Sequence, residues 1–446
     1  MGEINEEPKS VKRCHIVAVP FPGRGLINPM LNFCKHLAHK LGDNVRITYV
    51  ITEEWLGILE STIMPPQIHL RSMPNVIPSE FTRSLTLDFA SFLEIVVAKS
   101  EAPFEHVLNT SGPANVILAD FYLTWAYSIG SQRNIPVVIF WTTSSFVFFV
   151  LCHADLLTKN GHNLANISAD MPLIPRGNDP KFNPEMVAFT MLDWPFIPNT
   201  TTIIEHHHHI HDKETESSTT LHVNNKEPNY IEWLDVQPMS SVMYIAFGST
   251  VSIPWDQMKE ILAGLHKSGV RYLLVLPGGS LNSDIHGEGD GDNDEGVRTS
   301  DQRLIVPWCD QLRVLFHSSV GGFWTHCGWN STMESIYAGV PMLTFPKSFD
   351  QIPNRKLIVD DLKVGMKVMK DFGEKTLVRR DEIGKIVKRF MNINEEAEEY
   401  FNNEATEMRR RSSELKEICR TALAKGGSSD TNLTAFIKDI LDIHVN

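Results

Sequence analysis

The sequence predicts an α/β protein built from two doubly wound domains, each a parallel sheet covered by helices. Three observations carry that expectation. Near the amino terminus Ile16 to Pro20 is a short apolar run, PFPGRG follows as a glycine turn, and Val45 to Ile51 is a second apolar run. In the second half Ser241 to Phe247 repeats the pattern and ends in Gly248-Ser249-Thr250. The third observation is the stretch from Trp308 to Gln351. It holds a strand (Val320 to Thr325), a tight turn (His326, Cys327, Gly328), a helix start and another strand (Met342 to Phe345) ending on Pro346. A chain of 446 residues is long enough for two or three such domains.

In chain order, Asn28 and Pro29 mark the start of the first helix, and Met30, Phe33, Cys34, Leu37, Ala38 and Leu41 give it one apolar face. Gly23 to Asn28 imitates a dinucleotide fingerprint but lacks the third glycine; Glu53 and Glu54, after the second strand, keep a nicotinamide reading open. Asn115 to Asp120 is a third strand ending on a carboxylate, for which a helix N-cap is the ordinary reading, and Pro136 to Thr143 is a fourth. Phe146, Phe148, Phe149 and Leu151 fit an apolar pocket or plain core packing equally well.

The middle of the chain is polar. Glu205 to Asp212 (EHHHHIHD) is histidine-rich without a defined ligand geometry and reads as a solvated linker. Tyr230 to Asp235 leads into the second domain, and Tyr272 to Leu276 is its second strand. Asp290 to Gly296 (DGDNDEG) imitates a calcium loop, but its glycine falls one place late and Asp301 stands where a bidentate glutamate belongs, so a surface loop is expected. Glu395 to Lys425 reads as a charged helix ended by Gly426-Gly427. A last helix carries Leu433, Phe436, Ile437, Ile440 and Leu441 on one face.

The turn around His326 is where chemistry is expected. A helix start offers free N–H groups and the positive end of its dipole, which together favour an anion. Asn330 and Ser331 can cap that helix or donate to phosphate, and Gly321, Gly322 and Gly328 leave room for close backbone approach. His326 follows the strand at its carboxyl end, where open α/β sheets bind ligands. Glu334 suits a grip on a ribose diol, and Trp308 offers a flat face to a base.

Composition narrows the partners. With 41 basic and 54 acidic residues the net charge is −13, which argues against nucleic acid or an anionic membrane as the main partner. The six cysteines (14, 34, 152, 309, 327, 419) show no paired spacing and read as reduced cytosolic thiols, not a disulfide framework or a zinc site. No run of about 18 apolar residues suggests a transmembrane helix. MGEINEEPKSVKR has no signal-peptide core, and Glu6 makes Met1-Gly2 a poor myristoylation site.

The segment Trp308 to Gln351 resembles the 44-residue signature box of plant UDP-glycosyltransferases. Trp308, Gln311, His326, Trp329, Asn330, Ser331, Glu334, Asp350 and Gln351 stand at the box's characteristic places, and the resemblance extends over most of the chain. It implies the GT-B arrangement, two Rossmann-like domains facing a cleft. It also implies inverting transfer of a sugar, with glucose the expected one, to a hydroxyl or carboxyl of a small lipophilic plant metabolite. By family roles Trp308 stacks on uracil, Glu334 holds the ribose, and His326, Asn330 and Ser331 hold the diphosphate. Asp350, Gln351 and Thr142 contact the sugar, and Ser249 lies in a phosphate-facing turn. Cys309, Gly328 and Trp329 complete the UDP-sugar set. UDP-glucose is a co-substrate, and neither cofactor nor metal is implied. A cytoplasmic monomer of secondary metabolism is expected, with residues 1–13 as a polar tail and 14–204 as the acceptor domain. Residues 205–228 are then a linker, 229–429 the UDP-sugar domain, and 430–446 a helix returning to the first domain.

The chain departs from the family pattern in two places. The first glycine turn of the family carries a histidine that acts as general base, oriented by an aspartate where Asp120 stands; here that place is Leu26. His15 lies at the opposite end of the first strand and cannot replace it. General base catalysis is typically worth about 10²–10⁴-fold, so acidic acceptors should fare better than neutral alcohols. Residues 170 to 230 are also several dozen residues shorter than the family spacing, which leaves a catalytically inactive UDP-sugar-binding protein as the alternative.

Overall fold

The computed structural model describes residues 13–60, 62–75, 89–145, 147–148, 229–248, 253–276, 299–347, 350–368, 377–391 and 399–443. The chain divides into two compact units: Met1–Leu221 with Lys425–Asn446, and His222–Ala424.

In the first unit β1 (Cys14–Val19) is followed by α1 (Arg24–Leu41), β2 (Val45–Thr52), α2 (Glu53–Leu59) and β3 (Ile68–Met73). Then come α3 (Phe89–Thr110), β4 (Val116–Asp120), α4 (Trp125–Arg133) and β5 (Val137–Phe140). The five strands run parallel in the order β3-β2-β1-β4-β5. All six residues of β1 and all five of β4 are buried, as strands covered on both faces must be. The strand order reverses between β1 and β4, where Val19 pairs with Ala119. The turn into α1 and Asp120 at the end of β4 therefore flank one switch point, the place where such sheets take their ligands.

The helix α1 begins earlier than Asn28-Pro29 suggested. Gly23, in extended conformation, is its N-cap, and the Gly23 carbonyl accepts the N–H groups of Leu26 and Ile27 at 2.9 and 2.8 Å. Pro29 lies inside the helix. Its missing N–H costs one helical bond, and burial of Ile27, Met30, Leu31 and Phe33 holds the turn. The Tyr49 hydroxyl further ties β2 to this turn by donating to the Ile27 carbonyl at 2.7 Å.

The second unit opens with α5 (Tyr230–Asp235), capped by the Asn229 side chain, and β6 (Val242–Ala246). It continues through α6 (Trp255–Ser268), β7 (Arg271–Val275), β8 (Thr299–Ser300), β9 (Arg303–Val306), α7 (Gln311–Leu315) and β10 (Val320–Thr325). After these come α8 (Trp329–Ala338), β11 (Met342–Thr344), α9 (Gln351–Lys356), β12 (Gly365–Lys367), α10 (Arg380–Met391) and α11 (Glu399–Leu423). Strand order is β12-β11-β10-β6-β7-β9-β8, parallel except for β8. Here the order reverses between β6 and β10, so the loops after those two strands meet at the switch point.

Gly321 and Gly322 serve packing inside this sheet rather than approach to a ligand. A Cβ on Gly321 would meet the Ser240 carbonyl at 2.0 Å, and one on Gly322 would meet the Phe390 ring at 2.4 Å. The last helix, α12 (Ser428–Ile443), belongs to the first unit. Leu433, Phe436 and Ile440 are buried, Phe436 meets Phe33 of α1 with ring centroids 5.7 Å apart, and Lys40 pairs with Asp430.

Candidate functional site

At the switch point of the second unit, β10 ends at Thr325 and the chain turns sharply. Cys327 adopts a left-handed backbone (φ 66°), and its N–H is held by Thr325 Oγ1 at 3.1 Å. His326 is thereby placed between Gly248, after β6, and Gly328. A Cβ on either glycine would fall within 2.7 Å or 2.4 Å of His326 Nε2. Gly328 is also the N-cap of α8 and brings no capping side chain; Asp350 accepts the Trp329 N–H, and the positive end of the helix dipole favours an anion at the turn. Burial drives the His326 pKa down to about 4, helped by the Lys347 charge and opposed by the Ala246 carbonyl. The imidazole is neutral at physiological pH, and its buried Nδ1 has no hydrogen-bond partner among the described residues.

Gln311, the first residue of α7, organises the next part of the site. Asp310 caps this helix by accepting the Arg313 N–H at 3.1 Å, and its own N–H is held by the Tyr230 hydroxyl at 3.2 Å. From that fixed base Gln311 Nε2 donates to Ser331 Oγ at 2.8 Å and to Glu334 Oε2 at 2.5 Å. The Ser331 hydroxyl, one of the expected caps, thus lies against Gln311. Burial pushes the Glu334 carboxyl up to about 7, although the Gln311 amide favours its ionised form. Trp308, three residues before Gln311, is 57 % exposed, an unusual state for a tryptophan beside a polar cluster.

The end of β11 supplies the third part. Asn354, fully buried in α9, donates to Asp350 Oδ2 at 2.9 Å and to the Cys327 carbonyl at 3.0 Å, locking two turns together. Gln351 Oε1 accepts the Lys347 N–H at 2.9 Å. Burial raises Asp350 to about 6, against the favourable bonds from Asn354 and the Trp329 N–H. Burial also lowers Lys347 to about 7. Trp329 itself is buried.

At the switch point of the first unit Asp120 is fully buried, and burial pushes its carboxyl up to about 8. Oδ1 accepts the Tyr122 N–H at 3.1 Å, while Oδ2 has no hydrogen-bond partner among the described residues. Asp120 therefore does not act as a helix N-cap; α4 begins five residues later. Leu26, in the first turn of α1, packs its half-buried side chain on the apolar core that contains Phe21, Ala119 and Phe121. Thr142, just past β5, is buried with its hydroxyl unpaired among the described residues. His15 sits at the amino end of β1, bonded to the Pro113 carbonyl and Thr48 Oγ1 at 2.8 Å each.

Similarity to known proteins decides the family. UDP-glycosyltransferase 87A2 of Arabidopsis thaliana is 42% identical over 98% of this chain and 98% of its own length. The chain belongs to the UDP-glycosyltransferase family. UDP-glycosyltransferase 87A1 of the same plant is 40% identical over 95% of the chain and all of its own length. The family model described as UDP-glucoronosyl and UDP-glucosyl transferase matches residues 198–419. Among solved structures, Medicago truncatula UGT71G1 complexed with UDP-glucose superposes with a TM-score of 0.65 at 25% identity, covering 96% of this chain and 99% of that one. A UDP-glucose: anthocyanidin 3-O-glucosyltransferase in complex with UDP gives a TM-score of 0.70 at 22% identity, covering 97% and 100%. The fold is accordingly that of the GT-B glycosyltransferases, with two Rossmann-like domains, and the family uses a UDP-sugar as co-substrate without a cofactor. The nicotinamide reading of Gly23 to Asn28 is overturned by this membership.

Within this UDP-glycosyltransferase the second unit brings together Gln311, Ser331 and Glu334 in one hydrogen-bonded group, and His326 beside Gly328 in another. Asp350 joins the second group through Asn354. Cys309 is buried and bonded to Tyr244 at 3.4 Å. Ser249 and Thr250 lie outside the described residues, as do Phe146, Phe149, Leu151, the histidine run and the acidic loop. Phe148 meets Trp141 edge to face at 5.2 Å and packs on the core, as the plainer of its two readings had it. Reading the sequence missed Tyr244 and Asn354 as parts of the site. Nothing in the spacing signals Tyr244, whose partner Gln311 is 67 residues away; Asn354 stands four residues from Asp350, a helical spacing that marks the pair, and only its bond to the Cys327 carbonyl spans 27 residues.

Proposed function

We propose that this chain transfers a sugar, glucose by family resemblance, from a UDP-sugar to a small lipophilic plant metabolite with inversion at the anomeric carbon. The observation that carries this reading is the constellation around the start of α8. A helix start without a capping side chain on its N-cap residue, a neutral imidazole, an amide-ordered carboxyl and an exposed indole lie on one unit. Trp308 offers its face to uracil, Glu334 holds the ribose diol, and His326 with the α8 N–H groups binds the diphosphate. Asp350 and Gln351 contact the sugar.

In the reaction the acceptor oxygen attacks the anomeric carbon as the bond from that carbon to the diphosphate breaks. The developing negative charge on UDP falls on the helix start and the His326 ring, both preorganised for it. The acceptor proton must leave as the new bond forms. Leu26 cannot take it, and Asp120, buried and protonated below about 8, is a poor substitute. Acceptors that arrive ionised, carboxylates and acidic phenols, avoid the difficulty. The free cysteines of the described residues fit a reducing compartment, and a cytoplasmic monomer is the simplest setting.

A second reading, a protein that binds UDP-sugar without turnover, is favoured by the core packing of Leu26 and the unpaired Asp120 Oδ2. The alignment to the 87A2 relative runs over 470 positions, more than the chain contains, which fits a shortened acceptor domain. Calorimetry with UDP and UDP-glucose, followed by a UDP-release assay with mixed phenols and carboxylates, separates the readings. Binding with release supports the transferase, binding alone supports the second reading, and no binding sinks both.

A further inference from the structure

We propose that Tyr244 is a positioning residue for nucleotide binding: its hydroxyl fixes which way the Gln311 amide faces, and that amide holds Glu334 for the ribose diol. The inference rests on the ribose role of Glu334 proposed above.

Tyr244 lies on β6, buried to 1 %, with its ring stacked on Phe323 at 4.9 Å between centroids. Its hydroxyl donates to Gln311 Oε1 at 3.2 Å and sits 3.4 Å from Cys309 Sγ. A glutamine amide presents a donor on one side and an acceptor on the other, so one strong partner decides its orientation. With the Tyr244 hydrogen on Oε1, Nε2 must face Ser331 and Glu334, where both its bonds are made. The reverse orientation would set Oε1 against the Glu334 carboxyl and leave two acceptors facing each other. Cys309 completes the order. Burial pushes its thiol up to about 12, so the S–H is retained and can donate to the tyrosine oxygen, leaving the tyrosine hydrogen for Gln311. A directed row of bonds thus runs from Cys309 through Tyr244 and Gln311 to Glu334. Buried networks of this kind are costly when one member is lost.

The test compares binding of UDP and 2′,3′-dideoxy-UDP by calorimetry. The wild type should prefer UDP, because only UDP carries the diol. Tyr244→Phe keeps the ring and its stacking and removes the hydroxyl alone. It should weaken UDP binding by several-fold to about tenfold, the worth of one ordered hydrogen bond, and leave the dideoxy ligand unchanged. Phe323→Leu loosens the same packing but keeps the hydroxyl; it should lower the melting temperature and preserve the preference. If Tyr244→Phe retains the wild-type preference, or Phe323→Leu loses it equally, the hydroxyl is not the positioning element and the proposal falls. If the wild type itself shows no preference, the ribose role of Glu334 fails first and the proposal falls with it.

Discussion

A side-chain carbon placed on Gly328 would lie 2.4 Å from Nε2 of His326. Gly328 has an ordinary φ of −60°, so alanine there strains no backbone and acts only by pushing the imidazole. Overpacking of this kind costs roughly 1–3 kcal/mol. Gly328→Ala should therefore keep the fold while weakening UDP binding by about tenfold or more, read by calorimetry beside a thermal melt. Unchanged affinity would show that His326 is not part of the diphosphate site.

Leu26→His places an imidazole on the first turn of α1, at the same switch point as Asp120. Turnover of neutral alcohols should rise by roughly tenfold or more, given what a general base contributes. Acidic acceptors should gain less. A UDP-release assay across a series of phenols of graded acidity reads this directly, and a uniform gain across the series would speak against missing base catalysis.

Asp120 sets a pH dependence of stability. Its folded-state pKa is raised by burial from the ordinary 3.8 to about 8. The folded state therefore holds the proton more tightly than the unfolded chain. The associated stability is complete below the ordinary value and is lost as pH rises towards about 8. Asp120→Asn carries no ionisable carboxyl, so its melting temperature should fall less than that of the wild type between pH 6 and 9. Each kcal/mol relieved is worth about 2–4 °C in a unit of this size. Parallel falls for the two proteins would refute the assignment.

Glu334 and Lys347 both titrate near 7, with opposite requirements. In its proposed role Glu334 would accept ribose hydroxyls best when ionised, above about 7. Lys347, whose charge acts on His326, would favour a diphosphate there only when charged, below about 7. UDP affinity should peak near neutrality. Glu334→Gln should flatten the acid side of that profile and Lys347→Met the alkaline side, each measured by calorimetry from pH 5.5 to 8.5. A wild-type profile without a maximum would remove one of the two groups from the site.

The centre of each sheet could be read from sequence because buried parallel strands are continuous apolar runs. Most edges could not, although the apolar run of the edge strand β5 is legible within Pro136 to Thr143. In β3 (IHLRSM) only the two end residues are buried, and the edge strands β8 and β12 have two and three residues, too little for a pattern to form. Pro29 misplaced the start of α1 because proline is common in a first turn, whereas here packing carries it inside the helix. The candidate residues of Trp308 to Gln351 stand out in the sequence because one contiguous stretch supplies them. The long-range partners, Tyr244 for Gln311 and Asn354 for the Cys327 carbonyl, depend on which strands and turns become neighbours, and that is decided by the sheet order.

The return of α12 to the first unit has a consequence for biosynthesis. Phe33 is made early, yet its partner Phe436 leaves the ribosome only after all of residues 222–424 have been synthesised. Domains usually complete folding in the order of translation. Here the second unit is continuous and needs nothing beyond residue 424 to close, whereas the first unit must wait for Leu433, Phe436 and Ile440 with part of the α1 face uncovered. The amino-terminal half is the first to be made and the last to be finished.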